Sequence, residues 1–460
     1  MKTKLKALGG VLLCTAMILT GCSKNKTDEP VNPDEPNVPS QGQGEMQQMT
    51  VSESKEFISD VANEFLKKFR TPDQQALIAL AAHFDKEYSE LEAPAEFEID
   101  PEESTQVNPA KTAARLLKAV GEGNTTRAVS TVITYTYNLN FDRFKGVYTP
   151  GATRWIRTGD SNDIVFSFKN AQGNACELKV TGSAEYSEVN HTDKGEEYNV
   201  WNGSEYDTES EDYVYNIRVP RTITLTLNEA GNVLVTANLV SGIDIAGHSL
   251  SINAAVTAMN ITMNAAINGT DQKFTEASSL AVSGTTILST SATINGSHLC
   301  DKDYIVDLGN KDEVTEDDLM KLFQNGNATI DVLGKVQVDG ALTFNREVYK
   351  AMDADFDSYE YETMVQAESA AKKAAEDLNK YISGKLRFNN TVTTQAELYW
   401  EYKFYQDWSW YYELEPLMRF PSDSSTLSFE DYFEKGFGSV VDTYDSLIDD
   451  YKNVWNTFHK

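Results

Sequence analysis

The chain has 460 residues, and its 70 Asp and Glu outnumber its 40 Lys and Arg to give a formal net charge of −30. So acidic a protein repels nucleic acid and anionic lipid headgroups, which excludes both as partners. The length allows one large domain or two ordinary ones, and the sequence contains no phosphate loop or dinucleotide fingerprint, so we expect no cofactor.

The first residues have the pattern of an export signal. Three lysines within the first six residues precede an apolar run over residues 7–19, which is shorter than the ~20 residues of a membrane-spanning helix. The segment Leu19-Thr20-Gly21-Cys22 resembles the lipobox of bacterial lipoproteins. The resemblance implies cleavage before Cys22 and a diacylglycerol on its thiol. An ordinary secretory signal with an incidental cysteine is the alternative.

Cys22 and the residues after it predict a membrane anchor and a spacer. Acyl chains contribute ~0.8 kcal/mol per buried methylene, so an acylated Cys22 would hold the chain on a membrane. Ser23 stands where aspartate would favour retention in the inner membrane, so we expect the outer membrane. Bacterial lipoproteins that reach the cell surface often carry an acidic cluster just after the cysteine, and this chain has only Asp28 and Glu29. Periplasmic and cell-surface display therefore both stay open. A polyproline II spacer is indicated because proline recurs every third residue, at Pro30, Pro33, Pro36 and Pro39.

Helical patterns come first in the mature chain. Apolar residues at helical spacing from Val51 to Leu91 predict a helical hairpin, whose second helix has Thr71 as its N-cap and Pro72 at its first position. Asn108-Pro109 signals the start of a third helix, which ends by Gly121.

Beyond Thr125 the apolar residues alternate with period two, which is typical of half-buried antiparallel strands. The acidic, tyrosine-bearing insertion over residues 187–212 lacks this alternation, so we interpret it as an exposed loop or the end of a long hairpin. A long helix over residues 358–384, an aromatic stretch and two further helices complete the pattern.

The predicted fold is α+β: a large curved antiparallel sheet with an N-terminal helical hairpin, and helices packed on or closing the sheet. This plan, and the ending MRFPSDSSTLSFEDYFEKGF especially, resembles large outer-membrane lipoproteins of Bacteroidota whose function is uncharacterised. Long strands with helices on one face are also similar, as a fold-level analogy, to half-barrel lipid carriers. The predicted segments are a signal at 1–21, the acylated cysteine and tether at 22–50, helices at 51–122, the sheet at 123–350, and the long helix, aromatic hairpin and closing helices at 351–460.

Catalytic and metal motifs are incomplete. GHSLS at residues 247–251 lacks the final glycine of a nucleophile elbow and falls between strands. Asp353, Asp355 and Asp357 imitate the start of a calcium loop that then lacks its turn glycine and closing glutamate, so an acidic helix start is the simpler interpretation. We therefore expect no catalytic residue and at most a weak calcium site.

Two cysteines, Cys176 and Cys300, belong to the mature domain. Both lie in strand-like segments of an exported chain, where a disulfide can form, but two isolated cysteines do not define a framework. A Cys176–Cys300 disulfide and two small buried side chains are the alternatives.

Nine aromatic residues crowd the fourteen positions from Tyr399 to Tyr412. A hairpin with its loop at Tyr405-Gln406-Asp407 would pair Phe404 with Trp408 and put the even-numbered rings on one face. If helices cover that face it is core, which is the commoner role; if it is open, it is a platform for a sugar or an acyl chain. The candidate ligand-binding residues are Trp400, Tyr402, Phe404, Trp408, Trp410 and Tyr412.

Together these patterns predict a non-catalytic, lipid-anchored envelope protein that binds a glycan or protein partner through its sheet face or the acidic insertion. A carrier of amphiphiles, with a hollow lined by the even-numbered rings, is the alternative. An unrecognised hydrolase is a third, weaker hypothesis.

Overall fold

The computed structural model describes residues 44–107, 130–201, 206–244, 247–309, 314–406, 408–434 and 436–459. Its fold is α+β, with two N-terminal helices ahead of extensive, mostly antiparallel sheet, in agreement with the predicted fold class. The chain divides into two compact units, Met1–Lys86 with Leu234–Lys460, and Glu87–Val233. Cys22, the predicted acylation site, lies outside the described residues, as do residues 22–43 of the predicted tether and the helix expected after Asn108.

The helices in the described residues begin where the sequence provides caps. Thr50 and Thr315 each form a capping box with an acidic residue three positions later, and Thr71 Oγ1 accepts from the backbone N–H of Gln74. No described helix is long and apolar enough to span a membrane. The helices are α1 (Val51–Lys67), α2 (Pro72–Tyr88), α3 (Lys302–Gly309), α4 (Glu316–Leu322), α5 (Arg346–Asp353), α6 (Met364–Tyr381), α7 (Phe429–Glu434) and α8 (Gly438–His459).

Strands fill most of the remaining described chain, and several are longer than is common in globular proteins. They are β1 (Glu102–Val107), β2 (Ser130–Asn140), β3 (Gly146–Pro150), β4 (Trp155–Gly159), β5 (Ile164–Lys169), β6 (Ala175–Gly182), β7 (Tyr186–Trp201), β8 (Tyr206–Pro220), β9 (Thr222–Glu229), β10 (Asn232–Asp244), β11 (Ser249–Ala258), β12 (Ile261–Gly269), β13 (Lys273–Val282), β14 (Thr285–Gly296), β15 (Phe323–Val332), β16 (Val336–Thr343), β17 (Phe356–Asp357), β18 (Ile382–Phe388), β19 (Thr394–Gln406), β20 (Trp410–Phe420) and β21 (Ser425–Ser428).

In the first unit, strands β10 to β16 pair in sequence order, each antiparallel to the next. The sheet continues through β18, β19, β20 and β21, because β18 pairs with β16 while α5, β17 and α6 lie between them in the chain. The excursion brings α6 onto the sheet, and β17 also pairs with β20. Gly384, expected to end the long helix, lies instead inside β18.

Helix α1 packs on this sheet and is held by the end of the chain. Its Val61 shares a buried cluster with Phe388, Phe420 and Tyr432, and the Phe57 ring packs at a tilt of 37° against Phe388, with the centroids 4.5 Å apart. The hydroxyl groups of Ser54 and Tyr432 are 2.5 Å apart across 378 positions of sequence. Two residues of α1, Ser59 and Asn63, also reach α8, both through Ser439.

Helix α6 lies over the other end of the same sheet. It buries a row of small side chains, which lets its backbone approach the strands closely. The apolar side chains at the start of the helix, Met364 and Val365, are exposed and lie outside this contact. The buried residues of α6 are Ala367, Ala371, Ala374, Ala375 and Leu378.

The second unit contains two sheets. One has the order β4, β3, β5, β6 and β9, and its core is aromatic: Tyr148 is fully buried and stacks on Phe166 at 5.2 Å, while Trp155 meets Phe166 edge-on at 5.0 Å. The other is four-stranded, in the order β1, β2, β8 and β7. The acidic insertion forms the long antiparallel hairpin β7 and β8 of that second sheet, so the loop interpretation is wrong and the hairpin interpretation is confirmed.

Candidate functional site: an aromatic face on the four-stranded sheet

The four-stranded sheet aligns tyrosines from distant parts of the sequence. Strand β2 pairs with β8 in parallel, which puts Tyr135 beside Tyr213 and Tyr137 beside Tyr215. Antiparallel pairing of β7 with β8 puts His191 opposite Tyr215. Since directly paired residues point to the same side of a sheet, these five rings share one face. We call Tyr135, Tyr137, Tyr213, Tyr215 and His191 the tyrosine face.

The rings of the tyrosine face form two stacks that run across the strands. The centroids of Tyr137 and Tyr215 are 5.1 Å apart with the planes inclined by 9°, and those of Tyr215 and His191 are 6.4 Å apart at 16°. Tyr135 and Tyr213 form the second stack, at 5.4 Å and 21°. Such cross-strand pairs stabilise a sheet by up to ~1 kcal/mol each. The longer stack spans two strand spacings, about 10 Å.

All five side chains of the tyrosine face are half-exposed. Apart from the strands themselves, only the short 3₁₀ helix Phe141–Phe144 makes more than slight contact with this sheet among the described elements. Antiparallel sheets normally pack one face against a core. On the side opposite the tyrosine face, the side chains of Asn216 and Asn138 are 3.0 Å apart and Ser210 is buried.

Carboxylates surround the shorter stack. Glu103 pairs directly with Tyr135 across β1 and β2, and Glu211 lies two residues before Tyr213 on the same side of β8. The Tyr213 hydroxyl donates to the Glu211 carboxylate, and this hydrogen bond raises the pKa of Tyr213 to about 12. Burial raises the pKa of Tyr135, and the negative charges of Glu103, Glu211 and Glu209 add to that effect.

The aromatic stretch in the first unit is a hairpin, as expected, but its register differs from the expected one. Strands β19 and β20 pair Phe404 with Tyr412, where the predicted loop would have paired it with Trp408, and Tyr402 with Leu414. The loop lies later in the sequence, between Gln406 and Trp410. Because the shift is an even number of residues, the even-numbered rings still share one face.

Most of that even face is covered. Trp400, Tyr402 and Tyr412 pack on the cluster that α5 and α6 build around Ala371 and Leu378. The Asn379 side chain accepts from the backbone N–H of Trp400 at 2.8 Å and donates to its carbonyl at 2.7 Å, which fixes α6 to β19.

The tip of the aromatic hairpin is the exposed part. Phe404 is 47% exposed and Trp408 fully exposed, while Trp410 is half-buried beside them. Of the six candidate residues, the structure therefore brings three together under helices and leaves two in solvent.

The odd face of the hairpin carries a polar network. Tyr405 stacks on Tyr411 at 5.4 Å, and its hydroxyl donates to the Glu415 carboxylate, which also accepts from Lys403. The hydrogen bond to Glu415 raises the pKa of Tyr405 to about 12. Arg419 lies 4.5 Å over the Tyr399 ring. These contacts resemble those of Tyr213 and Glu211, but the neighbouring cations offset the carboxylate charge.

The calcium candidates have structural roles. Asp353 is the last residue of α5, so it does not begin a helix as expected, and Asp357 Oδ1 accepts from the backbone N–H groups of Tyr359 and Glu360 at 2.8 and 3.1 Å. Asp355 lies between them. Within the described ranges, no three His, Cys, Asp or Glu side chains are placed to hold a metal ion.

Both cysteines of the described chain, Cys176 and Cys300, are free thiols. Cys176 is buried in the second unit and Cys300 half-buried in the first. Burial raises the pKa of each thiol, and a neighbouring carboxylate raises it further. Of the two alternatives predicted for the cysteines, a small buried side chain fits Cys176.

The GHSLS segment lies at a turn between β10 and β11. His248 has a left-handed backbone with φ +48° and pairs through Nδ1 with Asp271 Oδ2 at 2.8 Å. This hydrogen bond raises the pKa of His248. Ser249, at the nucleophile position of the motif, begins a strand and not a helix, so the segment does not form an elbow.

An apolar groove of about 300 Å³ runs between α1 and α8. Its lining side chains are apolar except for Tyr444, whereas ligand pockets usually place a few polar groups among apolar ones to orient the ligand. The groove is lined by Ala62, Phe65, Leu66, Val440, Val441 and Tyr444.

Sequence reasoning did not single out the residues of the tyrosine face. Two signals were present: VITYTYN and EDYVYNI each place two tyrosines at positions i and i+2, which puts both on one face of a strand. The parallel pairing of β2 with β8, which joins the two doublets, has no short-range signature in the sequence.

The fold and this face define an α+β protein with a half-exposed aromatic sheet surface. No family model matches the chain, and neither the curated proteins nor the solved structures include a significant match.

Proposed function

We propose that this chain is a non-catalytic, lipid-anchored protein of the cell envelope that binds a glycan at its tyrosine face. The observation that carries the proposal is the row of five half-exposed rings on a sheet face that no described helix covers. Such ring surface is costly to leave in water unless a ligand covers it.

The chemistry of the face favours a glycan over a protein partner. Sugars present apolar C–H surfaces and a rim of hydroxyl groups, which suit aromatic rings with polar tips and nearby acceptors. Tyrosine hydroxyls and the Glu103 and Glu211 carboxylates supply such tips and acceptors on one side of the sheet. The length of the longer stack, about 10 Å, suits a short run of sugar rings better than a protein interface of ~800 Å² per partner.

Binding of envelope polysaccharides to the acyl-free mature chain, made with Cys22→Ser, tests the proposal. Truncating a central aromatic contact costs ~2 kcal/mol or more, so Tyr137→Ala should weaken binding about thirtyfold. Tyr215→Phe keeps the ring stack and should weaken glycan binding less than Tyr137→Ala does. Tyr359→Ala is the matched control, since Tyr359 is 86% exposed and belongs to the first unit. Wild-type affinity in Tyr137→Ala, with the circular dichroism unchanged, would refute the assignment.

A carrier of amphiphiles is the second candidate, and the apolar groove between α1 and α8 is the observation that favours it. The hollow first expected under the even-numbered rings is occupied, because Trp400, Tyr402 and Tyr412 pack on α5 and α6. Native mass spectrometry of the acyl-free chain tests this candidate: a carrier retains lipid through gentle purification, and Leu66→Asp in the groove should release it.

A further inference from the structure

The turn after β17 lies beside the tip of the aromatic hairpin. Strand β17 pairs Asp357 with Tyr411, near the start of β20, so the turn that follows begins next to the hairpin loop. Within this turn the Tyr361 ring stacks on Phe356 at 6.4 Å. Tyr359 does not fold back in this way and is 86% exposed.

Helix α6 points its first turn toward the same tip. Near the end of the helix, the Asn379 side chain bonds to the Trp400 backbone. Burial raises the pKa of Tyr412, and the charge of Glu368, near the helix start, adds to that effect, so these two side chains are close. Tyr412 pairs with Phe404, which is nearer to the tip than Trp400. The helix therefore runs along β19 with its first residues toward the tip.

Three segments of the chain thus leave apolar side chains exposed at one end of the first unit: the aromatic hairpin, the turn after β17 and the start of α6. Single exposed apolar residues are ordinary on a protein surface, whereas a group drawn from separate segments marks an interaction site. We call this group the apolar end. Its members are Tyr359, Met364, Val365, Phe404 and Trp408.

The apolar end is convex and has rings on both faces of the hairpin. Trp408 is fully exposed and therefore projects from the surface. Phe404 lies on the even face, and the half-exposed Tyr405 and Tyr411 stack on the odd face. A sugar or a flat protein surface would cover one face only, whereas a fluid lipid layer surrounds an inserted hairpin. Tryptophan and tyrosine favour the membrane–water interface, because they bury carbon surface and keep a polar group wet.

We propose that the apolar end inserts into the headgroup region of a zwitterionic lipid layer. Charge selects this class of lipid. The exposed side chains of Glu360 and Glu362 follow Tyr359, and the net charge of −30 repels anionic headgroups. Phosphatidylcholine and phosphatidylethanolamine instead present an outer ammonium group, which attracts carboxylates.

The place where the described chain begins is compatible with a second contact with the same membrane. The Gly44 carbonyl accepts from the backbone N–H of Val392, in the turn that precedes β19. The 13 residues of β19 separate this turn from the apolar end by about 40 Å. At ~3.3–3.6 Å per residue, the chain between Cys22 and Gly44 reaches about 75 Å at most. The acyl anchor, which rests on the proposed function, can therefore share a membrane with the apolar end.

Flotation with lipid vesicles tests the apolar end apart from the anchor, on the acyl-free full-length mature chain made with Cys22→Ser. This chain should bind phosphatidylcholine vesicles with a blue shift of tryptophan emission, and bind phosphatidylglycerol vesicles more weakly at low salt. Trp408→Ala should weaken binding to phosphatidylcholine about tenfold or more, because it removes the largest inserted side chain. Its circular dichroism should be unchanged, because Trp408 is fully exposed.

Val365→Glu and Val392→Glu form a matched pair of variants. Both valines are exposed, at 73% and 52%, and both belong to the first unit, but Val392 lies at the far end of β19. Each substitution adds one negative charge, so any general repulsion is the same in both. Val365→Glu should weaken vesicle binding about tenfold, and Val392→Glu should leave it unchanged.

Three results overturn the proposal. Equal binding of the two valine variants, or undiminished binding of Trp408→Ala, rejects insertion of the apolar end. Stronger binding to phosphatidylglycerol than to phosphatidylcholine rejects the zwitterionic surface. Failure of the acyl-free chain to bind any vesicle rejects a lipid occupant and favours a protein partner with a pocket for Trp408. The tyrosine face is tested separately, because its glycan binding is measured with Tyr137→Ala.

Discussion

Two tryptophans of the aromatic hairpin should differ sharply in what they contribute to stability. Trp400 packs on the α6 cluster beside Leu378, whereas Trp408 is fully exposed at the hairpin tip. A buried tryptophan removes ~150–250 Å² from water, and a half-buried one about half of that. At ~25 cal/mol per Å², Trp400→Ala should lower the free energy of unfolding by about 2.5 kcal/mol. Trp408→Ala should change it by less than about 0.5 kcal/mol.

Urea unfolding followed by circular dichroism measures the difference. With an m-value of ~3 kcal/mol/M, Trp400→Ala should lower the midpoint of the transition by about 0.8 M. The two variants remove the same side chain from the same hairpin, so differences in the unfolded state largely cancel. Equal midpoints for Trp400→Ala and Trp408→Ala would show that α6 does not pack on the even face, and the aromatic platform would again be open to a ligand.

The remaining predictions concern other contacts of the first unit and the two thiols. Asn379→Ala breaks two hydrogen bonds to the Trp400 backbone and should cost ~1–3 kcal/mol in the same urea assay, whereas Asn379→Asp should keep the accepted bond and cost less. The pKa of His248 is raised in the folded chain, so its pairing with Asp271 should stabilise the fold fully below the unfolded pKa of ~6.5. This stabilisation should be lost as pH rises through the folded pKa. A urea midpoint difference between His248→Gln and the unaltered chain that stays constant from pH 5 to 9 would contradict the prediction. The acyl-free chain, denatured without reductant, should give two thiols in a thiol titration. In the folded chain the buried Cys176 should react far more slowly than after denaturation. A denatured chain with no reactive thiol would mean that the two cysteines are bridged.

Local pattern was sufficient for much of the fold. Thr71 caps its helix as the sequence predicts. The even-numbered rings of the aromatic stretch share a face although their pairing register differs from the predicted one. The alternation of side chains along a strand determines which face of the sheet a residue lies on, whereas the position of the hairpin loop determines which residue it pairs with. The stretch from Phe404 to Trp410 could form several hairpin loops equally well, so the sequence did not determine the register.

Long-range pairing could not be predicted. Tyr135 and Tyr213 are neighbours only because β2 adds in parallel to a hairpin that begins about fifty residues later, and neither strand carries a signal for the other. The burial of Trp400 could not be predicted for the same reason, because it depends on the long-range placement of α6, which lies between β17 and β18 in the chain. The candidate site was therefore identifiable only as two tyrosine doublets, without the face that joins them.

The contact between Ser54 and Tyr432 has a consequence for biosynthesis. Helix α1 is made early, yet the buried groups it needs lie 378 positions later in the chain. At ~5–20 residues per second, its apolar side waits on the order of 20–80 s for them. During that interval we expect the nascent chain to need a chaperone or another shield for Phe57 and Val61. The first unit becomes complete only when α7 and α8 have both been made. A chain cut before Tyr432 should consequently be a substrate for quality-control proteases even though every strand of the sheet has been synthesised.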